Sequence, residues 1–172
     1  MARIDLYFPK LLKWEGKFVN DPLDKGGATN MGVTLSTWKK VGCDNDRDGD
    51  IDIDDIKKLS IPQAMKVCKD HYWDRWMADM INNQSIAECL VEWVWGSGKW
   101  GIVIPQRILG VLDDGIVGYK TLQAVNNQNQ VKFYNRLVEE KLKFLDDLVK
   151  NNPSQKRFIK GWKNRINDFK FS

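Results

Sequence analysis

Histidine is nearly absent, since His71 is the only one in 172 residues. That excludes a histidine-rich zinc centre and the paired-histidine helix of the zinc proteases. Long apolar runs are missing too. Runs such as Gly101–Pro105 are far short of the roughly 18 residues a membrane span requires, so no stable membrane insertion is expected. No glycine-rich phosphate loop of the nucleotide-binding kinds is present. Cys43, Cys68 and Cys89 lack metal-ligand spacing, and their odd number speaks for free thiols in a reducing compartment. The start, Met1-Ala2-Arg3-Ile4-Asp5, has an acid where a signal peptide needs its apolar centre, so synthesis in the cytoplasm without a signal peptide is expected.

What is present is ordinary in bulk and uneven in detail. Apolar residues make up 42% and charged residues 29%, with a net charge of +4. A basic surface favours an anionic partner. The cations are spread through helical segments rather than gathered in a block, so no nucleic-acid partner is expected. Eight tryptophans are more than a core of this size needs, and flat amphipathic rings suit stacking on sugars.

The pattern is helical nearly throughout, which predicts a mainly α protein with a small loop or hairpin region. Leu11, Leu12 and Glu15 share the face of a first helix that Gly16 ends. The stretch from Lys17 to Thr34, rich in Asn, Asp, Gly and Thr, is turn and hairpin chemistry. A short helix over Leu35–Val41 stops at Gly42. Ser60-Ile-Pro-Gln63 and Ser85-Ile-Ala-Glu88 read as capping boxes, the second opening an apolar central helix through Trp95. Gly96-Ser97-Gly98 breaks that helix and predicts two lobes, 1–96 and 97–172, in one compact body. Helical segments near Tyr119–Val125, Val131–Leu148 and Gln155–Asp168 complete the chain, which is expected to be monomeric.

The run from Asp44 to Asp55 carries oxygen ligands in the register of an EF-hand calcium loop. Asp44, Asp46 and Asp48 take the first, third and fifth places, and Gly49 takes the sixth, where the chain turns sharply. Asp50 offers its carbonyl, Asp52 acts through water, and Asp55 closes the loop, with Asp in place of the usual Glu as in dockerins. Carboxylates this crowded repel one another unless a hard cation neutralises them. A structural Ca2+ ion bound by Asp44, Asp46, Asp48, Asp50, Asp52 and Asp55 is the expectation.

Chemistry concentrates at Glu15 and after it. A carboxyl on the apolar stripe of its helix, beside Trp14, loses water, and desolvation favours the protonated form that a general acid needs. Asp21 and Asp24 follow on a polar segment where solvent keeps a carboxylate ionised. Two carboxyls in opposed environments suit the division of labour of a glycosidase.

The segment Glu15-Gly16-Lys17-Phe18-Val19-Asn20-Asp21-Pro22-Leu23-Asp24-Lys25-Gly26-Gly27-Ala28-Thr29-Asn30-Met31-Gly32-Val33-Thr34 closely resembles the signature of glycoside hydrolase family 108. These are bacterial and phage N-acetylmuramidases, some once described as secretion activator proteins. His71-Tyr72-Trp73-Asp74, Trp95-Gly96-Ser97-Gly98 and the stretch Leu109–Gly118 also look like that family. The last is similar to its peptidoglycan-binding-like module. The resemblance implies a lysozyme-like helical fold and bacterial peptidoglycan as partner. It further implies hydrolysis of the β-1,4 bond between N-acetylmuramic acid and N-acetylglucosamine, with Glu15 as acid. The Glu15, Asp24, Thr29 spacing is similar to that of phage-type lysozymes, which by analogy gives Asp24 electrostatic support or water activation and Thr29 the positioning of water. Asn20, Asp21, Asn30, Tyr72 and Trp73 are the expected substrate contacts. Action on the wall then follows release, for which a holin-assisted exit is the expected route. A lytic transglycosylase and a non-catalytic, calcium-stabilised wall-binding or secretion-regulating protein are the alternative readings.

Overall fold

The computed structural model describes residues 1–20 and 27–172. Among these the chain is mainly helical, as its patterning predicts, and it divides into two compact units. The smaller holds Ile4–His71, and the larger holds Met1–Arg3 with Tyr72–Ser172. No helix among the described residues is long and apolar enough to cross a membrane.

In the smaller unit, α1 (Ile4–Glu15) buries Tyr7, Phe8 and Leu11 and ends where Gly16 turns to a φ of 71°. Strands β1 (Thr29–Asn30) and β2 (Val33–Thr34) form an antiparallel hairpin in which Asn30 faces Val33. Its two-residue turn has positive φ at both Met31 and Gly32, the geometry whose twist matches paired strands. Thr34 then caps α2 (Leu35–Val41), its side chain accepting from the Thr37 amide at 3.1 Å. Gly42 caps the end of α2, and only glycine fits there, since a Cβ would lie 2.1 Å from the Trp38 ring. A short helix, α3 (Ile53–Lys57), follows the acidic run. Helix α4 (Ile61–Cys68) opens on the expected capping box of Ser60 and Gln63, with a proline in its first turn.

The larger unit is built around α5 (Gln84–Ser97), buried without interruption from Ser85 to Val94. Its N-cap is Asn83, whose side chain accepts from the Ile86 amide at 3.0 Å, not Ser85 as the sequence pattern predicts. Ser85 is spent elsewhere, accepting from the Ser172 amide at 3.0 Å. Gly98 breaks the helix at a φ of 55°, yet the break is no boundary between the compact units. Helix α6 (Trp100–Leu109) folds back on α5, so closely that a Cβ at Gly101 would lie 2.4 Å from the Val94 nitrogen. Trp76 donates its ring N–H to the Gly101 carbonyl at 3.2 Å, tying the same junction from another side. Helices α7 (Tyr119–Asn126), α8 (Gln130–Asn151) and α9 (Ile159–Asp168) complete the unit. Where α5, α8 and α9 meet, the buried Glu92 carboxylate accepts from the Lys141 ammonium and, at 2.6 Å, from the Arg165 guanidinium.

Candidate functional site

Glu15 is the last residue of α1 and is half-buried. Its carboxylate lies within electrostatic reach of the Cys68 thiol on α4. Burial pushes that thiol up to about 12, and the charge of Glu15 adds to the push. The chain leaves Glu15 through Gly16 and returns beside itself. Val19 and Thr29 exchange backbone hydrogen bonds, each of 2.8 Å. Between them, Asn20 is exposed, while Asp21 and Asp24 fall outside the described residues.

Thr29 is half-buried, with its hydroxyl 3.4 Å from the Gly27 carbonyl. Asn30 is only 9% exposed, and its amide donates to the Ile56 carbonyl on α3 at 2.8 Å. Its donor is thus engaged inside the protein rather than turned to solvent. Glu15, Asn20, Thr29 and Asn30 all belong to the smaller unit.

Tyr72 and Trp73 belong to the larger unit. Tyr72 is half-buried and meets the half-buried Trp95 ring at 4.3 Å between centroids. Trp73 has no exposed surface, and its ring N–H donates to Asp79 at 2.8 Å. It is a core residue with no face left for a sugar.

The acidic loop brings its carboxylates together in two groups. Ligand atoms of Asp44, Asp46 and Asp48 lie within 4.8 Å of one another, as do those of Asp50, Asp52 and Asp55. Asp44 accepts from the Arg47 and Gly49 amides at 2.5 and 2.9 Å, and the Gly49 N–H in particular holds its carboxyl below the usual range. Gly49 sits at a φ of 105°, which explains why glycine occupies the turn. The fully buried Asp55 accepts from the Asn45 amide and, at 2.7 Å, from the Asp52 amide. With Asp52 it forms a capping box that opens α3. This helix-capping use of Asp52 and Asp55 is one that ligand spacing alone does not reveal, although the Asp-x-x-Asp pattern carries it.

Asp46 tests whether the loop suits an ion. Its Oδ1 is buried and has no hydrogen-bond partner, and its other oxygen lies 3.4 Å from the Lys58 ammonium. Burial raises its carboxyl above the usual range despite Lys58, with Asp48 and Asp55 pushing the same way. An orphaned carboxylate oxygen among oxygen-only donors fits a hard divalent cation better than a soft one.

The larger unit also holds a cleft of about 260 Å³, whose apolar wall includes Trp100, Phe144, Leu148 and Trp162 and whose polar edge is Glu92, Lys141 and Arg165.

Comparison with known proteins agrees with the resemblance read from the sequence. A family model described as Glycosyl hydrolase 108 matches residues 8–98, and one described as "Predicted Peptidoglycan domain" matches residues 100–167. These matches meet near Gly98, whereas the compact units part at His71 and Tyr72. The chain is also similar to a solved structure described as "Structure of Brucella abortus SagA". That similarity has a TM-score of 0.78 and 27% identity over 96% of this chain and 90% of the other. No curated protein matches the chain.

Proposed function

The chain belongs to the family described as Glycosyl hydrolase 108, and from that premise we propose that it hydrolyses the β-1,4 bond between N-acetylmuramic acid and N-acetylglucosamine in bacterial peptidoglycan. Glu15 is the acid that protonates the departing glycosidic oxygen. Asp24 is the carboxylate that stabilises positive charge on the sugar or activates water, and the Thr29 hydroxyl positions that water. The observation that carries the reading is a half-buried glutamate ending α1, followed by a segment that the Val19 and Thr29 pair folds back on itself. The peptidoglycan-domain match over residues 100–167 supports the wall as the polymer addressed.

The acidic loop we assign to a structural Ca2+ ion. Its support is the oxygen-only donor set and the unpartnered Asp46 Oδ1. The ion neutralises crowded carboxylates at the start of α3 and takes no part in bond cleavage.

Digestion of purified peptidoglycan followed by mass spectrometry of the fragments tests the bond assignment. Reducing N-acetylmuramic ends are expected. Reducing N-acetylglucosamine ends would move the cleavage to the other linkage, and anhydro-muramic ends would make the protein a transglycosylase.

A further inference from the structure

Helix α3 connects two features that the preceding reading treats separately. Its N-terminus is made of acidic-loop residues, Asp52 as cap and Asp55 as the reciprocal partner. Its C-terminal residues hold both flanks of the segment after Glu15. The Ile56 carbonyl accepts from the Asn30 amide at 2.8 Å, and the Lys57 ammonium stands 5.8 Å from the centre of the Phe18 ring. Phe18 and Asn30 are the immediate neighbours of Val19 and Thr29, whose paired amides and carbonyls bring the two flanks together.

The Asn30 contact is buried at both ends, with Asn30 9% and Ile56 0% exposed. A buried bond between an amide and a carbonyl has direction and little slack, because an unmade partner inside the protein is costly. Shifting α3 therefore shifts β1. The acidic loop holds α3 through Asn45, whose side-chain amide donates to the Asp55 carbonyl at 3.1 Å. In that loop the Asp46 side chain, 11% exposed, has one oxygen without a partner and the other 3.4 Å from the Lys58 ammonium.

We propose that α3 couples cation uptake by the acidic loop to the order of the Val19 and Thr29 pair beside Glu15, with Asn30 as the positioning residue that transmits it. This rests on the assignment of a divalent cation to the loop and adds a consequence to it: the ion stiffens the segment carrying Thr29 as well as its own binding loop. Asn30 then acts through β1 rather than on the sugar.

Hydrogen exchange of the full chain, with mass spectrometry at fragment resolution, tests this with calcium chloride and with chelator. The Val19 and Thr29 amides are direct reporters, because each is bonded to the other residue's carbonyl. Calcium is expected to slow exchange in the acidic loop and, about fivefold, at these two amides, roughly the effect of one hydrogen bond. In Asn30→Leu the loop still responds and the two amides do not. A merely structural asparagine would raise their exchange equally with and without calcium.

A wild-type loop response without any response at Val19 and Thr29 overturns the coupling while leaving the ion in place. An Asn30→Leu protein that responds like wild type removes Asn30 from the path and overturns the proposal. If neither segment responds in wild type, the cation assignment falls and the coupling falls with it, whereas wall cleavage is judged independently on peptidoglycan. Should Asn30→Leu fail to fold, Lys57→Met makes the comparison through the Phe18 flank, with a reduced response at Val19 expected. An unreduced one overturns transmission through α3.

Discussion

Val19 and Thr29 are joined by two backbone hydrogen bonds of 2.8 Å, so the pairing makes no demand on the threonine side chain. This separates folding from chemistry at Thr29. Thr29→Val keeps the backbone pair and a β-branched side chain suited to a strand while deleting the hydroxyl. Clearing activity is expected to fall about tenfold, what one hydrogen bond near a charged centre is worth, with the melting temperature unchanged. A large drop in stability with unaltered turnover of the folded fraction would show that the hydroxyl has only a structural use.

Removing the cation should destabilise the protein. A ligand bound only by the folded state at about a hundred times its Kd contributes about 2.7 kcal/mol, which corresponds to roughly 5–10 °C in Tm for a chain of this size. Calorimetry in EDTA, then with calcium restored, reads the loss and the recovery. An identical Tm in both buffers contradicts the assignment, and Asp46→Asn should reduce the calcium-dependent part.

Glu92 is the shared partner of Lys141 and Arg165 inside the larger unit. Taking one member from a buried ion group leaves charge without its compensation and costs about 3–5 kcal/mol. Glu92→Leu should lower the urea midpoint accordingly. A cost below about 1 kcal/mol would mean that the cations relax to solvent.

Alkaline pH should unfold the protein, with a definite sign. Burial pushes the Cys68 thiol up from 9.0 to about 12 and the Tyr134 phenol from 10.0 to about 12, and it raises Cys89 too. The folded state thus holds these protons after the unfolded chain has released them, and stability is lost as pH climbs towards the folded values. Lys141 works the other way, since burial lowers it from 10.5 to about 8. Its contribution rises with pH and is complete near its ordinary value, so the net loss is steepest above about pH 10.5. Thermal melts across pH 8–12 check this. At neutral pH iodoacetamide should modify Cys43, which reaches solvent, and spare the buried Cys68 and Cys89.

Much of this architecture is legible in the sequence, and the exceptions share a cause. Ser60 with Gln63 and the stop at Gly42 are local signals, and the local geometry obeys them. The turn at Met31 and Gly32 is equally local. The cap of α5 misleads because Ser85 and Asn83 are both competent and the choice depends on Ser172, far away in the chain. Asn30 reads as a polar residue in a hairpin free to meet a sugar until the Ile56 carbonyl, 26 residues on, claims its amide. Trp73 likewise reads as a ligand contact until the core closes over it. In each case a long-range contact overrides a sound local reading. Asp52 and Asp55 differ, because one spacing serves both ion ligation and helix capping.

The most direct test of the central claim is clearing of purified peptidoglycan by wild type and by Glu15→Gln, with matched melting curves to show that both are folded. Loss of the general acid should cost about 10²- to 10⁴-fold in rate, so only wild type clears the substrate. Equal clearing by a folded Glu15→Gln protein would contradict the role assigned to this carboxyl and with it the account of catalysis.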